Sequence, residues 1–329
     1  MTDKVYTTKD LENIRPEARE TYIEGCLYEG QIVGLIGQQK AGKSYLWNQI
    51  SVHLAEGKDW GNGRLMIPKP RNVLCVQTEG GALDLAERIN PVVKSIDATG
   101  RRWAASIPSL LDLRTGDGLS DIEKVIEDLK IEVIGFDALY TSMSGTTASD
   151  ENIGAVKQSF RRLQLKFPRL SIVYLHHEHR ARFNHEGERS ESAQNRFAGS
   201  WAIMAMVDMS WHFTLDENQH GERRYFEVAN VRSRFQGVEP FFVDMDYDSG
   251  ILEAESYQLN DSIVRMRLHI KSVDWLSTKD FHGWCKDQNI PRSTVYRNID
   301  KLKKSGHIKE TVREGDKGSI MKGLQWSGR

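Results

Sequence analysis

The sequence is poor in cysteine and has no long apolar segment. Its 329 residues include 3 cysteines, Cys26, Cys75 and Cys285, which are too far apart to form a zinc-binding motif. An odd number of widely spaced cysteines is typical of reduced thiols in the cytoplasm. No apolar run approaches the ~18 residues of a membrane-spanning helix, and residues 1–20 lack the apolar core of a signal peptide. We therefore expect a cytoplasmic protein that does not interact with a membrane.

The sequence has almost no net charge, but its charges are unevenly distributed. The formal net charge is −1 at pH 7. Residues 261–329 hold 15 Lys or Arg against 8 Asp or Glu, a balance of +7, which leaves −8 for residues 1–260. This asymmetry predicts an acidic body with a basic appendage, an arrangement that is common when the appendage contacts a polyanion.

A glycine-containing segment lies between an apolar strand pattern and an amphipathic helix pattern. Residues 37–44, GQQKAGKS, match G-x-x-x-x-G-K-[ST] at every position. Gly37 and Gly42 let the backbone curl so that its N–H groups point at phosphate oxygens, beside a helix N-terminus. Lys43 is predicted to reach the β and γ phosphates of ATP, and the Ser44 hydroxyl to ligate Mg²⁺. The predicted nucleotide-binding residues are Gly37, Gln38, Gln39, Lys40, Ala41, Gly42, Lys43, Ser44 and Tyr45.

Two further apolar segments end in acidic residues. RNVLCVQTEGG (71–81) predicts a strand ending at Glu79, and IEVIGFDALYTSMSG (131–145) predicts one ending at Asp137. Acids at the carboxyl ends of strands face the same crevice as a phosphate loop in that sheet. We expect Asp137 to hold Mg²⁺ through water and Glu79 to polarise the attacking water. Either acid alone is better explained as a helix N-cap or turn residue; the two together beside a phosphate loop favour catalysis.

These motifs resemble those of the RecA-fold hexameric ATPases, most closely the plasmid RepA-type helicases and their AAA-type relatives in phages and mobile elements. The resemblance runs from about residue 20 to about 255 and includes YIEGCLYEGQIVGLIGQQKAGKS, VQTEGG, IGFDAL, YLHHEHR, RFAGSWAIMAMVDMSWHF and ANVRSRFQG. It implies an α/β fold with a RecA-like, mostly parallel sheet flanked by helices. Lys40 departs from the family, whose members usually have Pro or Gly there.

Three histidines in four residues close the stretch SIVYLHHEHR (171–180). In the family that it resembles, this strand ends in a Gln or His that senses the γ-phosphate and signals to a DNA-facing loop. The resemblance assigns His177 as the sensor, supported by His176. The alternative is a metal site, but side chains alternate along a strand and no cysteine is near His179.

The segment that follows, residues 178–199, is long and charged. By position it resembles the central-channel loop of hexameric helicases, in which Arg180, Arg182, Arg189 or Arg196 would contact the phosphates of single-stranded DNA; Arg180 and Arg182 are the residues that we predict. Four glutamates accompany these arginines, so a solvated lid with scattered charges is the alternative.

A basic pair lies late in the first domain, within a predicted hairpin over residues 225–246. Arg232 and Arg234 are two residues apart and therefore share one face of a strand. In the relatives a basic pair here reaches the neighbouring subunit's nucleotide, with Lys more usual at the position of Arg232. The resemblance thus implies catalytic fingers acting between subunits of a homo-hexamer. An exposed cross-strand charge pair is the alternative.

The C-terminal residues predict a small winged helix-turn-helix. IPRSTVYRNIDKLKKSGHIKETV (290–312) reads as a turn, a helix with Val295, Ile299 and Leu302 on one face, and a strand, followed by a hairpin. Winged helices bind duplex DNA with the outer face of such a helix, although some dock proteins instead. The residues expected to contact nucleic acid are Arg292, Ser293, Thr294, Arg297 and Lys301.

The sequence thus predicts an ATPase domain over residues 1–258 and a winged-helix domain over residues 259–329. The expected function is that of a Mg²⁺-dependent ATPase ring that translocates on or unwinds DNA, as a replicative helicase of a phage, plasmid or integrated element. Two alternatives stay open: a DNA-binding regulator or helicase loader switched by ATP, and a RecA-type recombinase. Hydrolysis stimulated by single strands favours the helicase, and a preference for duplex sites favours the regulator.

Overall fold

The chain divides into two compact units, Met1–Glu255 and Ser256–Arg329. The structure is a computed structural model, and it describes residues 7–12, 19–177, 201–215, 223–230, 238, 240–254, 266, 269–270, 273, 275–304, 308–314 and 320–326. None of the helices among these residues is both long and apolar enough to cross a membrane.

The first unit alternates strands and helices over most of its length. Its described elements are α1 (Thr8–Glu12), β1 (Thr21–Ile23), β2 (Leu27–Tyr28), β3 (Ile32–Gly37), α2 (Lys43–Glu56), β4 (Val73–Gln77), α3 (Ala82–Ser95), β5 (Trp103–Ser106), α4 (Leu119–Leu129), β6 (Val133–Asp137), α5 (Asp150–Lys166), β7 (Ser171–His177), α6 (Trp201–Met204), β8 (Met209–Leu215), β9 (Arg223–Asn230), β10 (Phe241–Met245) and β11 (Leu252–Ala254). The predicted hairpin near residues 225–246 is present as the antiparallel pair β9 and β10.

A nine-stranded sheet forms the centre of this unit, in the order β11-β10-β9-β8-β3-β7-β6-β4-β5. All neighbours from β5 through β8 are parallel, and the three remaining pairings are antiparallel. The predicted RecA-like α/β fold, with a mostly parallel sheet flanked by helices, is confirmed.

The parallel strands are apolar on both faces because helices cover both sides of the sheet. All six residues of β3 are buried. On one face α2 contributes Trp47 to a core that includes Phe213, and on the other α5 contributes Phe160 beside Phe136 of β6. A Cβ at Gly135 would lie 2.2 Å from Trp47, so the indole packs directly on the backbone of β6. This contact fixes α2, and with it the loop that precedes α2.

The register brings the carboxyl ends of four strands to one edge of the sheet. Gly37 at the end of β3 pairs with His177 at the end of β7. Gln77 at the end of β4 pairs with Asp137 at the end of β6. Residues that end or follow these strands therefore lie around one crevice.

The second unit contains two described helices and an antiparallel sheet. Its elements are β12 (Leu276–Ser277), α7 (Thr278–Asp287), α8 (Arg292–Lys304), β13 (Ile308–Glu314) and β14 (Ile320–Trp326), with the sheet order β12-β14-β13. Val295, Ile299 and Leu302 of α8 are buried in one cluster with Phe281 and Leu324. Helix α8 and the strands β13 and β14 agree with the helix and hairpin predicted over this region, strand β12 has no predicted counterpart, and the winged-helix assignment itself stays a prediction.

Candidate active site

The phosphate loop connects β3 to α2 through two left-handed residues. A Cβ at Gly37 would lie 1.9 Å from the carbonyl oxygen of Phe213 on β8, so only glycine fits where the loop begins. Lys40 has φ 64° and Gly42 has φ 95°. Gly42 immediately precedes α2, and its left-handed conformation lets the chain turn directly into the helix.

Lys43, the first residue of α2, is buried against the loop that precedes it. Its Nζ donates to the carbonyl oxygens of Gly37 at 3.0 Å and Gln38 at 2.8 Å. The same Nζ lies 3.3 Å from Nδ1 of His177. Because an ammonium group can only donate, Nδ1 is the acceptor in this contact. The predicted phosphate-binding lysine and the predicted sensor histidine are therefore in direct contact.

His177 is half-buried at the end of β7, and its environment favours the neutral imidazole. Burial lowers the pKa of His177, and the nearby charge of Lys43 lowers it further, whereas Glu79 acts in the opposite direction. The neutral ring can accept from Lys43 at neutral pH. His176 is buried and lies on the opposite face of the sheet from His177, because successive strand residues alternate between faces. It pairs in register with Ile36 of β3.

The two predicted magnesium ligands are joined by a hydrogen bond. The Ser44 hydroxyl donates to Oδ1 of Asp137 at 3.0 Å. Oδ2 of Asp137 is buried and accepts no hydrogen bond from the described part of the chain; Nη1 of Arg88 lies 3.9 Å from it. Burial raises the pKa of Asp137, while Ser44 and Arg88 oppose that rise.

The Ser44 hydroxyl and Oδ2 of Asp137 are suitable ligands for Mg²⁺, because this ion prefers hard oxygen atoms. Among the described residues no three His, Cys, Asp or Glu side chains cluster closely enough to hold a metal by themselves. His179, the third histidine of the alternative metal site, lies outside the described residues.

Glu79 does not end its strand as predicted, because β4 stops at Gln77. The last bond of the ladder with β6 runs from the backbone N–H of Thr78 to the carbonyl oxygen of Asp137 at 2.9 Å, and the chain then turns, with Gly80 at φ 75°. Oε1 of Glu79 is buried and has no hydrogen bond from the described residues. A buried carboxylate oxygen at the rim of this crevice is available to accept a proton.

Tyr140 links the acid to the histidine, a contact that sequence reasoning missed. A hydrogen bond to Glu79, together with partial burial, raises the pKa of Tyr140 to about 12. The Tyr140 ring lies 5.4 Å from the His177 ring, centroid to centroid. Tyr140 follows Asp137 by three residues, but nothing in FDALY indicates that its side chain turns toward β4 and β7.

The structure therefore brings together Lys43, Ser44, Glu79, Asp137 and His177. Two arginines that the sequence did not single out join them: Arg88 near Asp137, and Arg224 on the phosphate loop. Arg88 also lies over the ring of Tyr45, with 5.6 Å between its Cζ and the ring centroid. The predicted residues Arg180, Arg182, Arg232 and Arg234 lie outside the described residues.

The predicted nucleic-acid residues of the second unit are on α8. Arg292 and Ser293 are exposed and Thr294 is half-buried. Nη2 of Arg292 donates to the hydroxyl of Tyr296 at 3.2 Å, on the exposed side of the helix. Arg297 and Lys301 are on α8 too, but their side chains are outside the described set.

A protein-family comparison identifies the first unit. The AAA domain model AAA_25 matches residues 3–182, which is more than half of the chain. The chain therefore belongs to this family of P-loop ATPases. Among solved structures, it is similar to the KaiC-like protein of the hyperthermophilic archaeon Pyrococcus horikoshii OT3, with 13% identity and a TM-score of 0.48 over 71% of this chain and 93% of that one. A comparison with curated proteins found no match.

Proposed function

We propose that this P-loop ATPase assembles as a homo-hexameric ring and uses ATP and Mg²⁺ to translocate on or unwind DNA, as a replicative helicase of a phage, plasmid or integrated element. The observation that supports hydrolysis best is the contact between Lys43 and His177 beside the pair Ser44 and Asp137. A phosphate-binding cation, metal ligands and an acid surround one crevice, as phosphoryl transfer requires.

In this proposal each side chain has a separate task. Lys43 exchanges the carbonyl oxygens of its own loop for the β and γ phosphates of ATP. Ser44 and Asp137 would hold Mg²⁺, which neutralises phosphate charge when bound. Glu79 orients the attacking water and takes its proton through the oxygen that has no hydrogen bond. His177 loses its contact with Lys43 when ATP binds, and so reports that the site is filled.

The proposed DNA contacts rest on charge and exposure. The second unit includes the whole +7 segment over residues 261–329, and its α8 exposes Arg292 and Ser293. We propose that this unit is a winged helix that binds duplex DNA, while Arg180 and Arg182 contact single strands in the ring. Salt-dependent affinity is expected, since phosphate contacts release counterions.

The test is the ATP hydrolysis rate of the full chain without DNA, with single-stranded DNA and with duplex DNA, alongside the molecular mass from light scattering. We expect a hexamer whose turnover rises with single strands, and no turnover from Lys43→Ala. Stimulation by duplex alone would favour the ATP-switched regulator, and a filament of indefinite mass would favour the recombinase.

A further inference from the structure

Arg224 is an arginine buried beside the phosphate loop. It is the second residue of β9 and pairs in register with Leu215, the last residue of β8, and with Val243 of β10. Its side chain shares a sheet face with Val243 and Phe226, the face that α2 covers, and is 3% exposed. A guanidinium group enters such an apolar layer only where polar atoms receive it.

The guanidinium group contacts the loop at the peptide that precedes α2. Nε of Arg224 donates to the carbonyl oxygen of Ala41 at 3.2 Å, and Nη2 donates to the hydroxyl of Tyr247 at 3.3 Å. A Cβ built on Gly42 would lie 3.7 Å from the same Nε. Arg224 therefore touches the loop at its left-handed turn.

The orientation of this peptide decides where the loop directs its donors. The carbonyl of Ala41 and the N–H of Gly42 belong to one trans peptide plane, so they point in opposite directions. By holding the Ala41 oxygen, Arg224 aims the Gly42 N–H away from itself. That N–H is one of the donors with which a phosphate loop binds its anion. A buried positive charge behind the peptide also strengthens that donor.

The loop is fastened to the same pair of strands at a second point. The backbone N–H of Leu215 donates to Oε1 of Gln38 at 3.3 Å. The beginning of the loop is thus bonded to the end of β8, and the end of the loop to the start of β9. The loop keeps this shape through contacts made by residues far away in the sequence.

We infer that Arg224 is a positioning residue for nucleotide binding: it orients the Ala41–Gly42 peptide and polarises it toward the phosphates of a nucleoside di- or triphosphate. The inference deepens the proposed function, since it concerns the same site. An effect on binding is expected in the ground state and the transition state alike, so the Michaelis constant should change more than the turnover number.

The neighbouring Arg223 is a matched control. It lies on the opposite face of β9, where its Nε is 3.2 Å from Oδ1 of Asp244 and its Cζ lies 4.7 Å from the ring centroid of Phe242. Arg223→Gln removes an equal charge from the same strand without touching the loop. Any effect specific to the loop must therefore separate the two variants.

The experiment measures binding of a fluorescent ADP with Mg²⁺ to the full chain, followed by ATPase kinetics. Arg224→Gln should raise the dissociation constant and the Michaelis constant about 10-fold or more, the loss of one charge-assisted hydrogen bond. Its turnover number at saturating ATP should fall less. Arg223→Gln should stay within about twofold of the wild type, as a surface substitution does. Arg224→Lys keeps the charge but loses the planar guanidinium group that donates to both Ala41 and Tyr247. Its dissociation constant should lie between those of the wild type and Arg224→Gln.

A folded Arg224→Gln with the affinity of the wild type would overturn the inference, as would a lower turnover number at an unchanged Michaelis constant. If Arg224→Gln does not fold, Arg224→Lys decides: weakened binding supports the inference, and wild-type binding overturns it. A wild-type chain that binds no nucleotide overturns the proposed function itself, so the two failures can be told apart.

Discussion

Asp137 is a carboxylic acid whose surroundings oppose its charge. Burial raises its pKa above 3.8, so the folded chain binds this proton more readily than the unfolded chain. The free energy of unfolding therefore falls as the pH rises from 3.8 through the raised pKa, and at neutral pH the ionised group destabilises the nucleotide-free protein. A carboxylate kept at this cost is suited to a cation that arrives with the nucleotide.

We predict that Asp137→Asn raises the unfolding temperature of the nucleotide-free chain and abolishes Mg²⁺-dependent ATP hydrolysis. The amide keeps an oxygen for the Ser44 hydroxyl but carries no charge to be desolvated. Thermal unfolding and ATPase assays measure the two effects. Asp128→Asn, on the exposed side of α4, is the control and should change neither quantity. A lower unfolding temperature for Asp137→Asn would assign the ionised carboxylate a structural role.

Glu79 offers a test of proton transfer alone. Glu79→Gln should bind ATP as the wild type does but hydrolyse it about 10²-fold more slowly or worse, because only the acceptor of the water proton is lost. Nucleotide titration and single-turnover hydrolysis separate the two quantities. Glu87 is an exposed residue of α3, and the control variant Glu87→Gln should hydrolyse ATP normally. If Glu79→Gln loses binding and keeps its rate, the acid is structural.

The residues of the site differ in how far the sequence could predict them. Lys43 and Ser44 belong to a local motif, Asp137 ends a buried strand, and His177 is assigned through the resemblance to a known family. Neither Arg224 nor Tyr140 belongs to a recognisable sequence motif. Arg224 reaches Ala41, 183 residues away in the sequence, only because β8 and β9 lie beside the phosphate loop. A contact of this kind depends on strand order, which periodicity does not encode.

At the scale of elements, α2 and β6 are joined through Gly135. A Cβ there would lie 2.2 to 2.3 Å from three atoms of Trp47, an indole that cannot move without shifting α2. Gly135→Ala should therefore lower the free energy of unfolding by about 1–3 kcal/mol, the usual cost of overpacking. It should also weaken nucleotide binding, since α2 begins with Lys43.

Gly154→Ala is the matched control for Gly135→Ala. Denaturant unfolding measures the free energy of unfolding of both variants. It lies within α5, and a Cβ there would meet no atom within 4 Å. Gly154→Ala should raise the free energy of unfolding by roughly 0.5–1 kcal/mol, because alanine loses less backbone entropy in a helix. Equal effects at the two glycines would mean that the contact between Trp47 and β6 does not fix α2.

Most helices and strands could be predicted from apolar runs and helical spacing, and the sheet order could not. The sequence places β3, β4, β6 and β7 as buried strands, but the position of β8 beside β3 follows only from the whole fold. The strand before Glu79 ends at Gln77, two residues earlier than predicted, and the chain then turns with Gly80 in a left-handed conformation.

At the scale of the whole molecule, the two units should be separable. Truncation after residue 258 falls just past the observed division at Glu255 and should leave a folded ATPase. DNA binding by the truncated chain should be weaker and less dependent on salt, since each lost phosphate contact lowers the salt slope by about 0.9 on duplex DNA. Titrations of duplex DNA at several salt concentrations measure this. An unchanged slope would indicate that the second unit docks a protein.

The proposed ring makes a prediction that a monomer does not share. Arg232 and Arg234 are predicted to act on the neighbouring subunit's nucleotide, so Arg234→Ala should bind ATP and hydrolyse it poorly. An arginine supplied by another subunit is worth about 10³-fold or more in the rate of phosphoryl transfer. Arg232→Ala should show a milder loss, since lysine is usual at that position in the relatives.

Two inactive variants should therefore rescue each other when they are mixed. Subunits with Arg234→Ala have an intact phosphate loop, and subunits with Lys43→Ala have an intact Arg234. Some interfaces between neighbouring subunits of a mixed ring therefore combine an intact loop with an intact arginine. Provided that subunits exchange, the mixture should hydrolyse ATP faster than the two variants do separately, with the rate greatest at intermediate ratios. A fully active Arg234→Ala, or an active wild type that stays monomeric at every concentration, would falsify action between subunits. Rescue that also occurs when Lys43→Ala is replaced by the double variant Lys43→Ala, Arg234→Ala would contradict it equally, because that partner has no Arg234 to donate.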